Sequence, residues 1–104
     1  MAKKKYRLRI LQLFESDLNE TADYIAYKLQ NPIAANDLID ATETAIYERL
    51  PEAETFAPYP SLRQRPYPYY YIPVKNFYVF YVVIGDVMEV RRFVYASSDI
   101  ENHI

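Results

Sequence analysis

Residues 6–14, YRLRILQLF, open with an alternation in which Tyr6, Leu8 and Ile10 face one way and Arg7 and Arg9 the other. That is the pattern of a strand with one buried and one wet face. Ser16 follows as a candidate N-cap, with Asp17 and Glu20 in a first turn where the helix dipole favours negative charge. Leu18, Ala22, Ile25 and Leu29 then recur at helical spacing and predict an amphipathic helix over 17–30. Asn31-Pro32 ends it and starts another, because Asn caps well and Pro is tolerated at the first helical position. Ala35, Leu38, Thr42, Ala45 and Ile46 form the inner face of this second helix, and Pro51 stops it near Leu50. So short a link predicts an antiparallel helical hairpin.

Five of the seven prolines fall between Pro51 and Pro68, so this stretch is a loop with little regular hydrogen bonding. Three strands are predicted after it. Tyr69 to Val74 contains Pro73 and belongs at an edge or a bulge. Phe77 to Ile84, FYVFYVVI, is a continuous apolar run suited to a central strand. Gly85-Asp86 supplies a two-residue hairpin turn into Met88 to Tyr95. Strict alternation places Met88, Val90, Arg92 and Val94 on one face of that last strand and Glu89, Arg91, Phe93 and Tyr95 on the other. Residues 96–104 read as a polar tail. The expected fold class is α+β, β-α-α-β-β-β, an antiparallel sheet with the N-terminal helical hairpin packed on one face and the other face open to a partner. Residues 1–104 form one domain.

Composition narrows the chemistry. The absence of Cys excludes disulfides and thiolate metal sites, one Gly excludes Gly-rich phosphate loops, and one His excludes a multi-histidine metal centre. No metal or cofactor is expected. The longest apolar run is too short for a membrane, which takes about 20 residues. Met1 to Lys5 resembles the start of a signal peptide, but Arg7 and Arg9 interrupt the apolar stretch that should follow, so the chain reads as cytoplasmic. The net charge of −2 conceals an asymmetry: residues 15–54 carry ten carboxylates against Lys28 and Arg49, a net −8, and the remainder is +6. Such an imbalance points to one face for an anionic partner.

The basic remainder contains Arg63 and Arg65 in the loop, Lys75, Arg91 and Arg92, interleaved with the tyrosines at 67, 69, 70, 71, 78, 81 and 95 and followed by His103. Guanidinium groups hold phosphates and tyrosine rings stack on bases, so together these residues suit single-stranded RNA. Arg92 stands out because alternation sets it among apolar neighbours, where a charge needs a partner or lines a site. His103 carries the one imidazole suited to proton transfer near neutral pH.

The stretch from Tyr6 to Leu50 and then YPYYYIPVKNFYVFYVVIGDVMEVRRFVYASSD resembles the RelE/ParE family of toxins of bacterial type II toxin–antitoxin modules. The most specific pieces are the strand into DLxExxxYIxxxLxNPxAA, VKNFxVFY and VMEVRRxxY. The resemblance implies the RelE/ParE toxin-like fold, a cognate antitoxin as partner, and growth inhibition by ribosome-dependent mRNA cleavage or, alternatively, by binding DNA gyrase. An inactive binding paralogue is a third alternative. For the nuclease, a metal-independent endoribonuclease, the expected catalytic residues are Arg92, Tyr95 and His103, with Arg63, Arg65, Lys75 and Arg91 on RNA. At positions where ribonuclease members carry basic residues, this chain has Tyr71 and Pro73, Tyr78, and Ser97-Ser98.

Overall fold

A computed structural model describes residues 4–61 and 63–104, so Met1 to Lys3, the start of the basic N-terminal run, lie outside the described residues. Strand β1 (Arg7–Ile10) leads into helix α1 (Gln12–Asp23), and a π-helical turn over Tyr24–Lys28 precedes helix α2 (Pro32–Arg49). Strands β2 (Tyr70–Val74), β3 (Phe77–Ile84) and β4 (Val87–Tyr95) follow the proline-rich loop. The sheet order is β1-β4-β3-β2. Neighbours among β2, β3 and β4 are antiparallel, but β1 lies parallel to β4, from Arg7 opposite Val87 to Ile10 opposite Val90. The sheet is therefore mixed rather than wholly antiparallel: a strand reached through a helical hairpin and a meander is free of the direction that a tight turn imposes.

The first strand is shorter than the alternation suggests. Leu11 donates its N–H to the Val90 carbonyl at 3.0 Å and then caps α1 from an extended conformation, so Ser16 sits inside the helix and not at its start. The reason is Phe14, which is buried with Leu18 and Ala22 along a four-residue stripe that carries the helical period back into the LQLF segment. At the other end the π turn shifts that stripe: Ile25 is half-buried and Leu29 is exposed, and Gln30 breaks the helix at a φ of 51°. Helix α2 matches its sequence pattern closely. The Asn31 side chain accepts the Ala34 N–H at 3.1 Å, Pro32 occupies the first turn, and Ala35, Leu38, Thr42 and Ile46 are buried. Leu38 and Ile46, with Phe14 and Leu18 of α1, pack on Ile72, Val74, Val79, Tyr81, Met88, Val90 and Phe93 of the sheet. Each fully buried Leu, Ile or Phe there contributes about 1.5–3 kcal/mol, which is what fastens the hairpin to the strands.

Two expectations about the sheet change. Phe80 pairs with Arg92 while Tyr81 pairs with Val90, so Arg91 is an extra residue in β4, a β-bulge. Past the bulge the faces exchange: Met88, Val90 and Phe93 share the helix-side core, whereas Val94 joins Phe80 and Val82 on the opposite face. That opposite face is not open. Tyr69 and Ile100 are buried against it, with Tyr59 from the loop and Ile104 packed alongside, and the expected polar tail forms a 3₁₀ turn over Ile100–Asn102. Apolar Ile100 and Ile104 turn the end of the described chain inward.

Candidate functional site

The bulge and the early end of β1 decide where the basic side chains go. Beyond Leu11 the outer edge of β4 has α1 beside it instead of a strand, and a carboxylate on that helix takes the place of the missing carbonyls. Asp17 Oδ2 accepts the Phe93 N–H at 3.1 Å and the Arg92 Nε–H at 2.7 Å, and Oδ1 accepts Arg92 Nη2 at 3.2 Å. Arg92 Nη1 also donates to the backbone oxygen of His103. The bond from Asp17 holds the Arg92 pKa above its ordinary value even though burial opposes it. Arg92 is thus the charge with a partner that the sequence required, and the partner is structural.

The other expected phosphate ligands are engaged in the same way. Buried Glu89 accepts from Arg91 Nε at 2.7 Å and from Arg9 Nη1 at 3.1 Å. Burial alone would raise the Glu89 pKa; the two arginines outweigh it and hold the carboxyl below its ordinary range. Arg91 further donates to the Tyr69 hydroxyl at 3.3 Å. Arg65 lies over the Tyr69 ring, donates to the Ile104 backbone oxygen at 2.8 Å and reaches Glu101 at 3.5 Å. Arg63 stands 3.8 Å from the same carboxylate. Every one of these arginines has an acidic neighbour, and a phosphate would have to displace it.

The expected catalytic trio does not assemble. Arg92 faces Asp17, the His103 side chain is exposed on the terminal turn, and Tyr95 belongs to a separate groove. Lys75 is the first residue of the two-residue β2–β3 turn, at a φ of 53°, at the same end of the sheet as Tyr95 and apart from the arginines. Where a phosphate cradle was in question, Tyr71 and Tyr78 lie edge to face at 5.0 Å and pack on Tyr59 and Phe80. Ser98 spends both its N–H and its hydroxyl on the Tyr95 carbonyl. An aromatic cluster stands where cations would be needed.

The helical hairpin offers the opposite chemistry. A groove of about 380 Å³ runs between α1 and α2 over Phe14, Leu18, Ile39 and Ile46, with Ile10 and Tyr47 at its margins. Glu15 and Glu43 stand on its rim, and a shallower hollow continues it past Tyr47 to Asp40 and Glu48. A second, more apolar groove of about 590 Å³ lies between the end of α1, the π turn and the sheet, lined by Glu20, Tyr24, Ile25, Leu29, Phe77 and Tyr95. The sequence showed these acids only as helix surface charge; Asp40, Glu43 and Glu48 with Tyr47 along one side of α2 were the available signal. Asp17 and Glu89, the carboxylates that consume the arginines, carried no local signal at all.

The chain matches the family model described as the ParE toxin of the type II toxin–antitoxin system parDE over residues 8–100. A solved structure from P. aeruginosa, titled as a chromosomal ParDE toxin–antitoxin system, is similar at a TM-score of 0.74 and 16% identity, covering 92% of this chain and 100% of that one. No curated protein matches by sequence. Among the described residues no helix is long and apolar enough to cross a membrane.

Proposed function

The chain belongs to the ParE toxin family of type II toxin–antitoxin systems, and we propose that it arrests growth in the cytoplasm by binding DNA gyrase, without cutting RNA, until a cognate antitoxin covers it. The observation that carries the choice is the pairing of the arginines. Metal-free RNA cleavage needs cations free to hold the crowded phosphate and a proton acceptor beside them. Here Arg63, Arg65, Arg91 and Arg92 face Glu101, Glu89 and Asp17, while Tyr95 lines a different groove. Freeing Arg92 means leaving the largely buried Asp17 carboxylate unpaired, which costs several kcal/mol, and freeing Arg91 takes from buried Glu89 the closer of its two cations. A net charge of −2 gives no general attraction to ribosomal RNA. A protein target asks for none of this, since a hairpin with exposed Tyr24, Tyr27, Leu29 and Ile33 meets a protein surface through apolar contact.

The test is to express the chain without its antitoxin and read two signals from the same cells. Cleaved or relaxed plasmid DNA with unchanged transcript ends is the expected result. New transcript ends that depend on translation would overturn the gyrase reading in favour of the nuclease. Unimpaired growth at full expression of folded protein would leave an inactive binding paralogue.

A further inference from the structure

The groove between the end of α1, the π turn and the sheet shares no lining residue with the acid-rimmed groove between α1 and α2, and it is built differently. One wall is aromatic and backed by the core: Phe77 stacks on Phe93 at 4.8 Å, and Tyr95 meets the Phe77 ring edge-on at 5.5 Å. The other wall is Tyr24, Ile25 and Leu29, held by the Leu29 N–H donating to the Tyr24 carbonyl at 3.1 Å and the Asn31 N–H to the Ile25 carbonyl at 3.0 Å. Tyr24, Leu29 and Tyr95 are nonetheless exposed, and neither tyrosine hydroxyl has a partner among the described residues. Backbone and charge single out the same place. Among the described residues only Gln30 and Lys75 carry a side chain at positive φ, 51° and 53°, a region that favours glycine. They flank this groove, Gln30 directly after Leu29 and Lys75 directly before Asn76. Arg7, Arg9, Arg91 and Arg92 of the sheet each face a carboxylate, whereas the exposed Lys75 ammonium has no partner among the described residues. Glu20 on the α1 margin is likewise exposed and unpaired. An occupant must therefore offer an apolar side chain to the walls, an acid to Lys75 and a donor to Glu20.

We propose that this groove is where the chain grips gyrase: an aliphatic or aromatic side chain standing out from the enzyme's surface enters between Leu29 and Phe77, with Tyr24 and Tyr95 against its flanks, and a neighbouring carboxylate of the enzyme meets Lys75. The inference rests on the gyrase reading above and adds to it the surface and the chemistry of the contact. Buried aromatic and aliphatic contact gives the grip its strength, and the charges of Lys75 and Glu20 give it orientation and speed of association. A basic surface is rejected at the Lys75 end, where it would meet like charge.

The experiment measures binding of the full-length chain to purified host DNA gyrase, and inhibition of its supercoiling, for wild type, Tyr24→Ser/Leu29→Ser, Lys75→Glu, Lys75→Gly, and Lys5→Glu as an equal charge change at the far end of the sheet. Expected is a Kd weakened about tenfold or more by Tyr24→Ser/Leu29→Ser and by Lys75→Glu, and about threefold by Lys75→Gly, with Lys5→Glu unaffected and the Lys75 effects shrinking as salt rises. Lys75→Gly separates binding from folding. Glycine takes a φ of 53° without strain, so the unfolding midpoint should be no lower than that of wild type while the grip on gyrase weakens. Wild-type inhibition retained by every groove variant overturns the inference alone, and if those variants have lost the cognate antitoxin instead, the antitoxin is the occupant. A wild type that neither binds nor inhibits gyrase overturns the gyrase reading and the inference with it. Self-association of the isolated chain that the groove variants abolish overturns it in favour of a second copy.

Discussion

The sheet and the helical hairpin carry charge in opposite conditions. Around β4, arginines and carboxylates meet in pairs: Arg92 with Asp17, Arg91 and Arg9 with Glu89, Arg65 and Arg63 with Glu101. On the outer side of the hairpin, Glu15, Asp40, Glu43 and Glu48 are exposed and unpaired among the described residues. The pairs at low exposure, Arg92 with Asp17 and Arg91 with Glu89, hold the fold and have little left to offer a ligand. Unpaired charge beside an apolar groove does little for the fold and is free to select a partner. The residues that look most chemical in a sequence, a run of arginines among strands, are here the ones held by carboxylates.

The strongest way to break that contrast is Asp17→Ala. It leaves the Arg92 guanidinium and the Phe93 N–H without their acceptor, and should lower the unfolding free energy by about 3 kcal/mol in urea titrations. A loss under about 1 kcal/mol would mean that water replaces the carboxylate and that the pairing is not structural. Arg92→Lys keeps the charge but not the fork, so about 1 kcal/mol should be lost while toxicity per folded molecule stays at the wild-type level. Toxicity that collapses at unchanged stability would return Arg92 to the working surface.

The pH dependence follows from Glu89. Its pKa in the folded chain lies below the ordinary 4.5, so the stability it contributes is present above that value and is lost as pH falls through the folded pKa. Glu89→Gln should therefore be less stable than wild type near neutral pH and show a shallower loss below about pH 4.5, read from unfolding midpoints across pH. The smallest effect belongs to the hairpin: Glu43→Gln should change stability by no more than about 0.5 kcal/mol, in either direction, by the same titrations.

How far the sequence discloses this molecule depends on the range over which a pattern acts. Asn31-Pro32, the spacing of Ala35, Leu38, Thr42 and Ile46, and Gly85 at a φ of 63° are local, and the structure has each where the pattern puts it. The start of α1 is nearly legible, since Phe14 completes the stripe of Leu18 and Ala22. The bulge at Arg91 is not, because alternation within β4 is unbroken in the sequence and fails only when β3 is laid beside it. Nor is the covering of the second sheet face by Tyr59, Tyr69 and Ile100, which comes from segments without periodicity. The site residues suffered most. Arg92 and Asp17 are 75 positions apart, and no local rule pairs them. Arg92, Tyr95 and His103 share the last part of the chain, yet only Arg92 and His103 meet, through the His103 backbone oxygen, while Tyr95 lines a separate groove.

The brevity of β1 also bears on how the chain behaves at high concentration. A sheet invites addition at its edges, and both edges here are poor templates. One is a strand of only four residues, and the other is a five-residue strand with Pro73 in its interior, where a backbone donor is lacking. Beyond β1 the flank of β4 is occupied by α1, with the Phe93 N–H already bonded to Asp17. In a chain rich in β-branched and aromatic residues, these devices oppose edge-to-edge addition of further strands.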